Sequence, residues 1–184
     1  DVTQVDNLRD RGREFGEHWG WHVGTTVGAE VVKVLAQMGY TDEVPLGCEN
    51  EMLPLALRDL DDVPSGQRQE WGKQDAWERE LELLREMKKV EPGVRAEIQV
   101  MQIGPAGLVA VPAEYFCCYG LEIKAGSPFN PTFVVSLANG CVGYVPTLQA
   151  FVGGGYEPRT ARSSKLCPDA GDRIAAAAIR LLNL

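Results

Sequence analysis

The chain is poor in histidine, with two in 184 residues, His18 and His22, both near one end. Imidazole is therefore absent from the rest of the sequence, where a thiol nucleophile such as Cys141 finds no obvious base. Also missing is any apolar run near the roughly 20 residues that a helix needs to cross a bilayer, which excludes a helical span. The first residues lack the basic, apolar and small-residue succession of a secretory signal. The chain starts with Asp1 rather than Met, so a processed product or the C-terminal part of something longer is expected. Positive charge is in deficit as well: 18 Lys and Arg against 26 Asp and Glu leave a net charge of -8, and no basic stripe forms. A nucleic-acid partner is excluded on that ground, since a phosphate backbone rewards clustered cations. The five cysteines, Cys48, Cys117, Cys118, Cys141 and Cys167, contain no CxxC spacing and are odd in number, so they define neither a redox motif nor a compartment. There is no internal repeat and no low-complexity tail.

What is present is ordinary globular composition, 45% hydrophobic and 24% charged, in a length that suits one domain with a real core. From about Asn7 to Met38, Phe15, Trp19, Val23, Val27, Val31 and Val34 recur at spacings of three and four. That pattern predicts a helix with a buried face, closed by Gly39. A loop-rich connector follows, in which "MLPLALRDL" reads as a short strand. Residues 67 to 89 are highly charged, with Trp71, Trp77, Leu81 and Leu84 on one side, predicting an amphipathic helix with a solvated outer face. "AEIQVMQIG" and "GLVAVP" flank the turn "GPAG" and predict a hairpin. A helix is expected from Glu114 to about Ala125, then "SPFNP", a buried strand "TFVVSLAN", and a final helix with Pro168 near its start. The succession points to an α/β fold, a mixed sheet covered by helices.

Glu114 falls where a strand passes into a helix. A carboxylate there can be a simple helix-start acid, stabilised by unpaired amides, or a metal ligand or general base held on a rigid strand end. Tyr144 follows "NGCVG" beyond the next strand end. The carboxyl ends of strands in such sheets gather at one rim where ligands bind, so Glu114 and Tyr144 are expected to share it. Tyr144 reads either as a packed phenol bonded to backbone or as an oxygen ligand of a dication. Tyr156 follows a triple glycine, and either donates to an oxyanion or anchors a flexible loop. His18 and His22 are one helical turn apart, but "EHWGWH" is not HExxH, and their glycine and tryptophan neighbours fit close helix packing equally.

The run "VAVPAEYFCCYGLEIKAGSPFNPTFVVSLANGCVGYVPTLQAFVGGGYEP" resembles the neutral/alkaline, non-lysosomal ceramidase family, especially its bacterial members. The resemblance extends more loosely through the first and final helices. It implies a zinc-dependent amidohydrolase that cleaves the N-acyl bond of a sphingolipid or related lipid amide. It implies too that residues 1–184 form a single segment, the C-terminal part of a larger α/β zinc-hydrolase domain. In the family a "PGE"-like motif supplies a zinc-binding glutamate. "PAE" matches it, with Ala113 for the glycine, and carries that role onto Glu114. "NGCVGY" carries the ligand tyrosine onto Tyr144, and the tyrosine that assists the tetrahedral oxyanion falls on Tyr156. The two histidine ligands of the family belong to a portion preceding this sequence, and His18 and His22 do not match them. Cys141 stands where an aromatic residue is common, and the family's later immunoglobulin-like domain is absent. The implied partners are a lipid amide and the missing upstream part of the domain or a partner chain, and the implied location is secreted or cell envelope. A non-catalytic binding module derived from the same family, and a metal-independent hydrolase using Cys141, are the contrasting readings.

Overall fold

A computed structural model describes residues 17–60 and 74–184, of which residues 17–44 belong to one compact unit and residues 45–60 and 74–184 to a second. The expected helix residues 7 to 16 and Trp71 lie outside the described residues.

In the first unit, α1 spans Glu17–Leu35. It ends four positions before Gly39, and its last turn is tightened by amides of Ala36 and Gln37 bonded to Val32 and Val34 carbonyls. Gly39 is therefore not the cap. Nor is the valine stripe buried: Val27, Val31 and Val34 are exposed, and Val23 is half-buried. Helical periodicity marks a face able to be buried, and the described part of this unit holds no second element to cover it.

The second unit contains β1 (Leu46–Ala56), α2 (Gln74–Val90), β2 (Gly93–Ile103), β3 (Ala106–Val111), β4 (Glu114–Tyr115), α3 (Cys117–Ala125), β5 (Thr132–Ser136), β6 (Tyr144–Val145), α4 (Leu148–Gly153) and α5 (Ala170–Leu182). β1, β2, β3 and β5 form a mixed sheet in that order, the first two pairings antiparallel and β3–β5 parallel. β1 covers 11 residues, much of what the sequence presents as a loop-rich connector. Its polar run "CENE" is exposed up to Asn50 and half-buried at Glu51 but pairs along β2, so backbone pairing rather than side-chain burial sets its length. The predicted hairpin is present, with Ile103 opposite Ala106. Gly104 takes φ 59 ahead of Pro105, the glycine-first arrangement that suits the twist of a two-residue hairpin turn.

Period-two burial puts Leu53, Leu55, Ala96, Ile98, Val100, Val109 and Val111 into one core. α5 lies against it with Ile174, Ala177, Ala178 and Leu181, spaced by three and four, and α3 adds Tyr119 and Ile123. Each large aliphatic side chain buried here contributes about 1.5–3 kcal/mol. The alanines of α5 let its axis sit close to the sheet. Pro168 lies outside this helix, just before Asp169 at the N-cap. β5 departs from expectation. It is an edge strand, and Phe133 and Val135 are exposed, because β5 has a sheet neighbour on one side only and the helices cover the other face. On α2, Trp77, Leu81 and Leu84 are buried, as the amphipathic pattern predicts.

Candidate active site

Beyond Val111 and Ser136 the parallel strands β3 and β5 part, and the chain re-pairs a few residues later as the short parallel couple β4–β6. Its register sets Glu114 opposite Tyr144. The two segments are tied by backbone bonds from Leu137 to Ala113 (3.1 Å), Val142 to Pro112 (2.7 Å) and Glu114 to Gly143 (2.9 Å), each amide donating to a carbonyl. Glu114 is thus in a strand and not at a helix start. α3 begins at Cys117 with Phe116 as its N-cap, so the helix-start role expected for this carboxylate does not apply.

The connecting loop has the backbone that its composition suggests. Asn139 adopts φ 65, and Gly143 adopts φ 97 with its Cα against the Ser163 carbonyl, where a Cβ would come within 2.3 Å of the oxygen. Only glycine satisfies both constraints at position 143. Asparagine tolerates the left-handed region, and the Asn139 amide also donates to Gln99 Oε1 at 3.2 Å.

Hydrogen bonding to the Glu114 carboxylate, with lesser contributions from burial and from the charges of Glu114, Tyr156 and Glu157, pushes the Tyr144 phenol up to about 12. A neutral phenol at physiological pH follows. The Tyr156 ring meets the Tyr144 ring edge-on, with centroids 5.8 Å apart at 84°. Tyr156 is delivered by α4, whose Thr147 Oγ1 accepts the Ala150 amide, and by a turn through Gly154 (φ 76) and Gly155 (φ 121). The first residue of the triple glycine, Gly153, belongs to that helix rather than to the loop. Tyr156 is 53% exposed, and its ring lies against the half-buried Tyr144.

The structure therefore gathers Glu114, Tyr144 and Tyr156 at one place beyond the ends of the parallel strands. It adds two residues that sequence reasoning passed over. Glu157 follows Tyr156 directly and acts electrostatically on Tyr144, and its signal was its place in "GGGYEP". Lys165 donates to the Val142 and Arg162 carbonyls and carried no motif at all. His18 and His22 are both on α1, in the other unit, and the unit holding Cys141 contains no histidine. Cys141 is exposed. Among the described residues no three His, Cys, Asp or Glu side chains gather to hold a metal ion.

No protein-family model matches the chain, and no curated protein sequence matches it. Its fold is similar to that of part of a solved neutral ceramidase from Pseudomonas aeruginosa, at TM-score 0.59 and 16% identity over 94% of this chain. The chain spans 34% of the length of that protein. A ceramidase solved in complex with C2 matches half of this chain and 14% of its own, at 20% identity and TM-score 0.42.

Proposed function

We propose that this chain contributes part of the active site of a zinc-dependent amidohydrolase that cleaves the N-acyl bond of a sphingolipid or related lipid amide. The observation that carries the reading is the placement of Glu114, Tyr144 and Tyr156 together at the ends of parallel strands, in a chain whose fold is similar to that of part of a neutral ceramidase. The sequence resemblance assigned roles to the same three residues.

The donor set fits zinc in part. A carboxylate and a phenol oxygen, set opposite each other on the strand pair, are two oxygen donors, whereas zinc takes three or four ligands from protein. Glu114 and Tyr144 would hold the ion together with donors from outside the described residues. When bound, zinc supplies a water whose pKa is lowered to about 7. The chain's own residues do the rest. Glu114 keeps the Tyr144 phenol oriented along the strand pair and sets negative charge beside it. Tyr156 donates a hydrogen bond to the carbonyl oxygen of the amide as it becomes negative, a role worth roughly 2.7–4 kcal/mol of barrier for a well-placed donor. Its ring, braced on Tyr144, is limited in the directions it can point.

The test uses the full natural chain containing this sequence, purified with zinc and assayed by elemental analysis and by fatty-acid release from an N-acyl sphingosine. Stoichiometric zinc and hydrolysis are expected. Glu114→Gln and Tyr144→Phe should lower both, whereas Tyr156→Phe should keep zinc and lose roughly 10²–10³ in kcat. A natural chain that carries no zinc and releases no acid overturns the proposal and leaves a non-catalytic binding module.

A further inference from the structure

The backbone under Tyr144 is held from one side by β4 and from the other by a tight turn, where the Ala161 amide donates to the Ser164 carbonyl at 3.4 Å and the Ser164 amide to the Ala161 carbonyl at 2.9 Å. The Tyr144 amide donates to Ser163 in that turn at 2.7 Å, and Gly143 packs against the same carbonyl. One cation spans the junction. Lys165 Nζ donates to the Val142 carbonyl at 2.5 Å and to the Arg162 carbonyl at 3.1 Å, so its two acceptors lie on opposite sides of the seam.

The lysine is itself anchored. Its carbonyl accepts the Arg58 amide at 2.9 Å, next to the bridge between Leu57 and Leu166, and neighbouring Ser164 is buried. The turn is fastened a second time through Arg162, which grips Glu80 of α2 with Nε at 3.0 Å and its terminal nitrogen at 2.7 Å. A continuous set of polar contacts therefore runs from α2 through the turn to the loop that carries Tyr144. Carbonyl groups in a tight loop need donors, and an ammonium with three protons on a flexible stem can serve two of them at once.

We infer that Lys165 is a positioning residue for Tyr144, fixing the strand-end phenol by clamping the Val142 carbonyl to the 161–164 turn. This rests on reading Tyr144 as a site residue. The mechanical claim, however, concerns the backbone alone and is measured without metal or substrate. A failed amidohydrolase reading therefore leaves the result intact.

The experiment is residue-resolved amide hydrogen exchange on the full chain, comparing the wild type with Lys165→Met and Lys165→Arg. Lys165→Gln serves as a milder third variant should methionine prevent folding. In Lys165→Met, or in Lys165→Gln if it is used, exchange at the Tyr144 amide should accelerate about tenfold or more, while Ile98 and Val109 in the central strands keep their protection. Lys165→Arg, which retains cationic donors, should restore most of the protection. The Tyr144–Tyr156 ring contact, followed by NMR of labelled tyrosine, should weaken in the same variants and recover with arginine. Unchanged exchange at Tyr144 overturns the inference. So does acceleration shared equally by Ile98 and Val109, because it would make Lys165 a general contributor to stability.

Discussion

Glu114 and Tyr144, thirty positions apart in the chain, are register partners in a two-residue parallel strand pair, and the carboxylate of one raises the pKa of the other's phenol. The pairing explains the phenol's raised pKa without deep burial. It also predicts what happens when the carboxylate is neutralised. In Glu114→Gln the Tyr144 phenol should titrate closer to the ordinary value of about 10 than to about 12, as read by NMR of labelled tyrosine between pH 8 and 13. The sign for stability follows. A phenol that binds its proton more firmly in the folded state contributes stability that is present below pH 10 and is lost as pH rises from about 10 through about 12. In the variant that alkaline loss should shrink.

Position 143 tests the seam. Gly143→Ala combines a strained φ of 97 with a Cβ 2.3 Å from the Ser163 oxygen. The expected cost is roughly 1–3 kcal/mol. Urea denaturation should show a lower midpoint with an unchanged slope.

A second close approach lies in the core. The Tyr115 and Tyr119 rings stack at 5.0 Å, and the Tyr115 hydroxyl donates to the Gly171 carbonyl at 2.8 Å. A Cβ at Gly171 would sit 2.1 Å from the Tyr119 ring. Gly171→Ala should therefore destabilise by about 1–3 kcal/mol through overpacking, even though alanine is the better helix former by about 1 kcal/mol. The melting temperature checks it, and a rise would show that the ring yields freely.

Glu80 gives an acid-side prediction. Its hydrogen bond to Arg162 holds the carboxyl below its usual range. A carboxylate with a lowered folded pKa contributes stability that is present above its unfolded pKa and lost as pH falls through the folded value. Arg162→Ala should thus reduce stability at neutral pH and flatten its decline below about pH 4.5. Denaturation midpoints at pH 7 and pH 3 measure the difference.

Local chemistry was legible wherever a periodicity or a turn signal acted alone. The spacing of Trp77, Leu81 and Leu84 marks the buried side of α2, the "GPAG" turn marks the β2–β3 hairpin, and the mixed α/β architecture follows from the order of such segments. Reading stopped where pairing overrode composition. "CENE" is polar and looks like a loop, but it is a strand because β2 runs beside it, and "AEY" looks like a helix start, but Glu114 and Tyr115 pair with β6.

By itself the sequence singled out candidate residues. Glu114, Tyr144 and Tyr156 are set apart by type and by their place among glycine and proline, and the scarcity of histidine limits what they can be joined to. Only the tertiary structure decided that they meet. Contact between residues thirty positions apart depends on two strands leaving the sheet side by side and re-pairing in one register. That register is held by backbone bonds and by Lys165, whose amino group reaches across a turn to a carbonyl with no motif to announce it. Hydrogen bonds to main-chain carbonyls leave no trace in side-chain periodicity, which is why the clamp is visible only once the chain is folded.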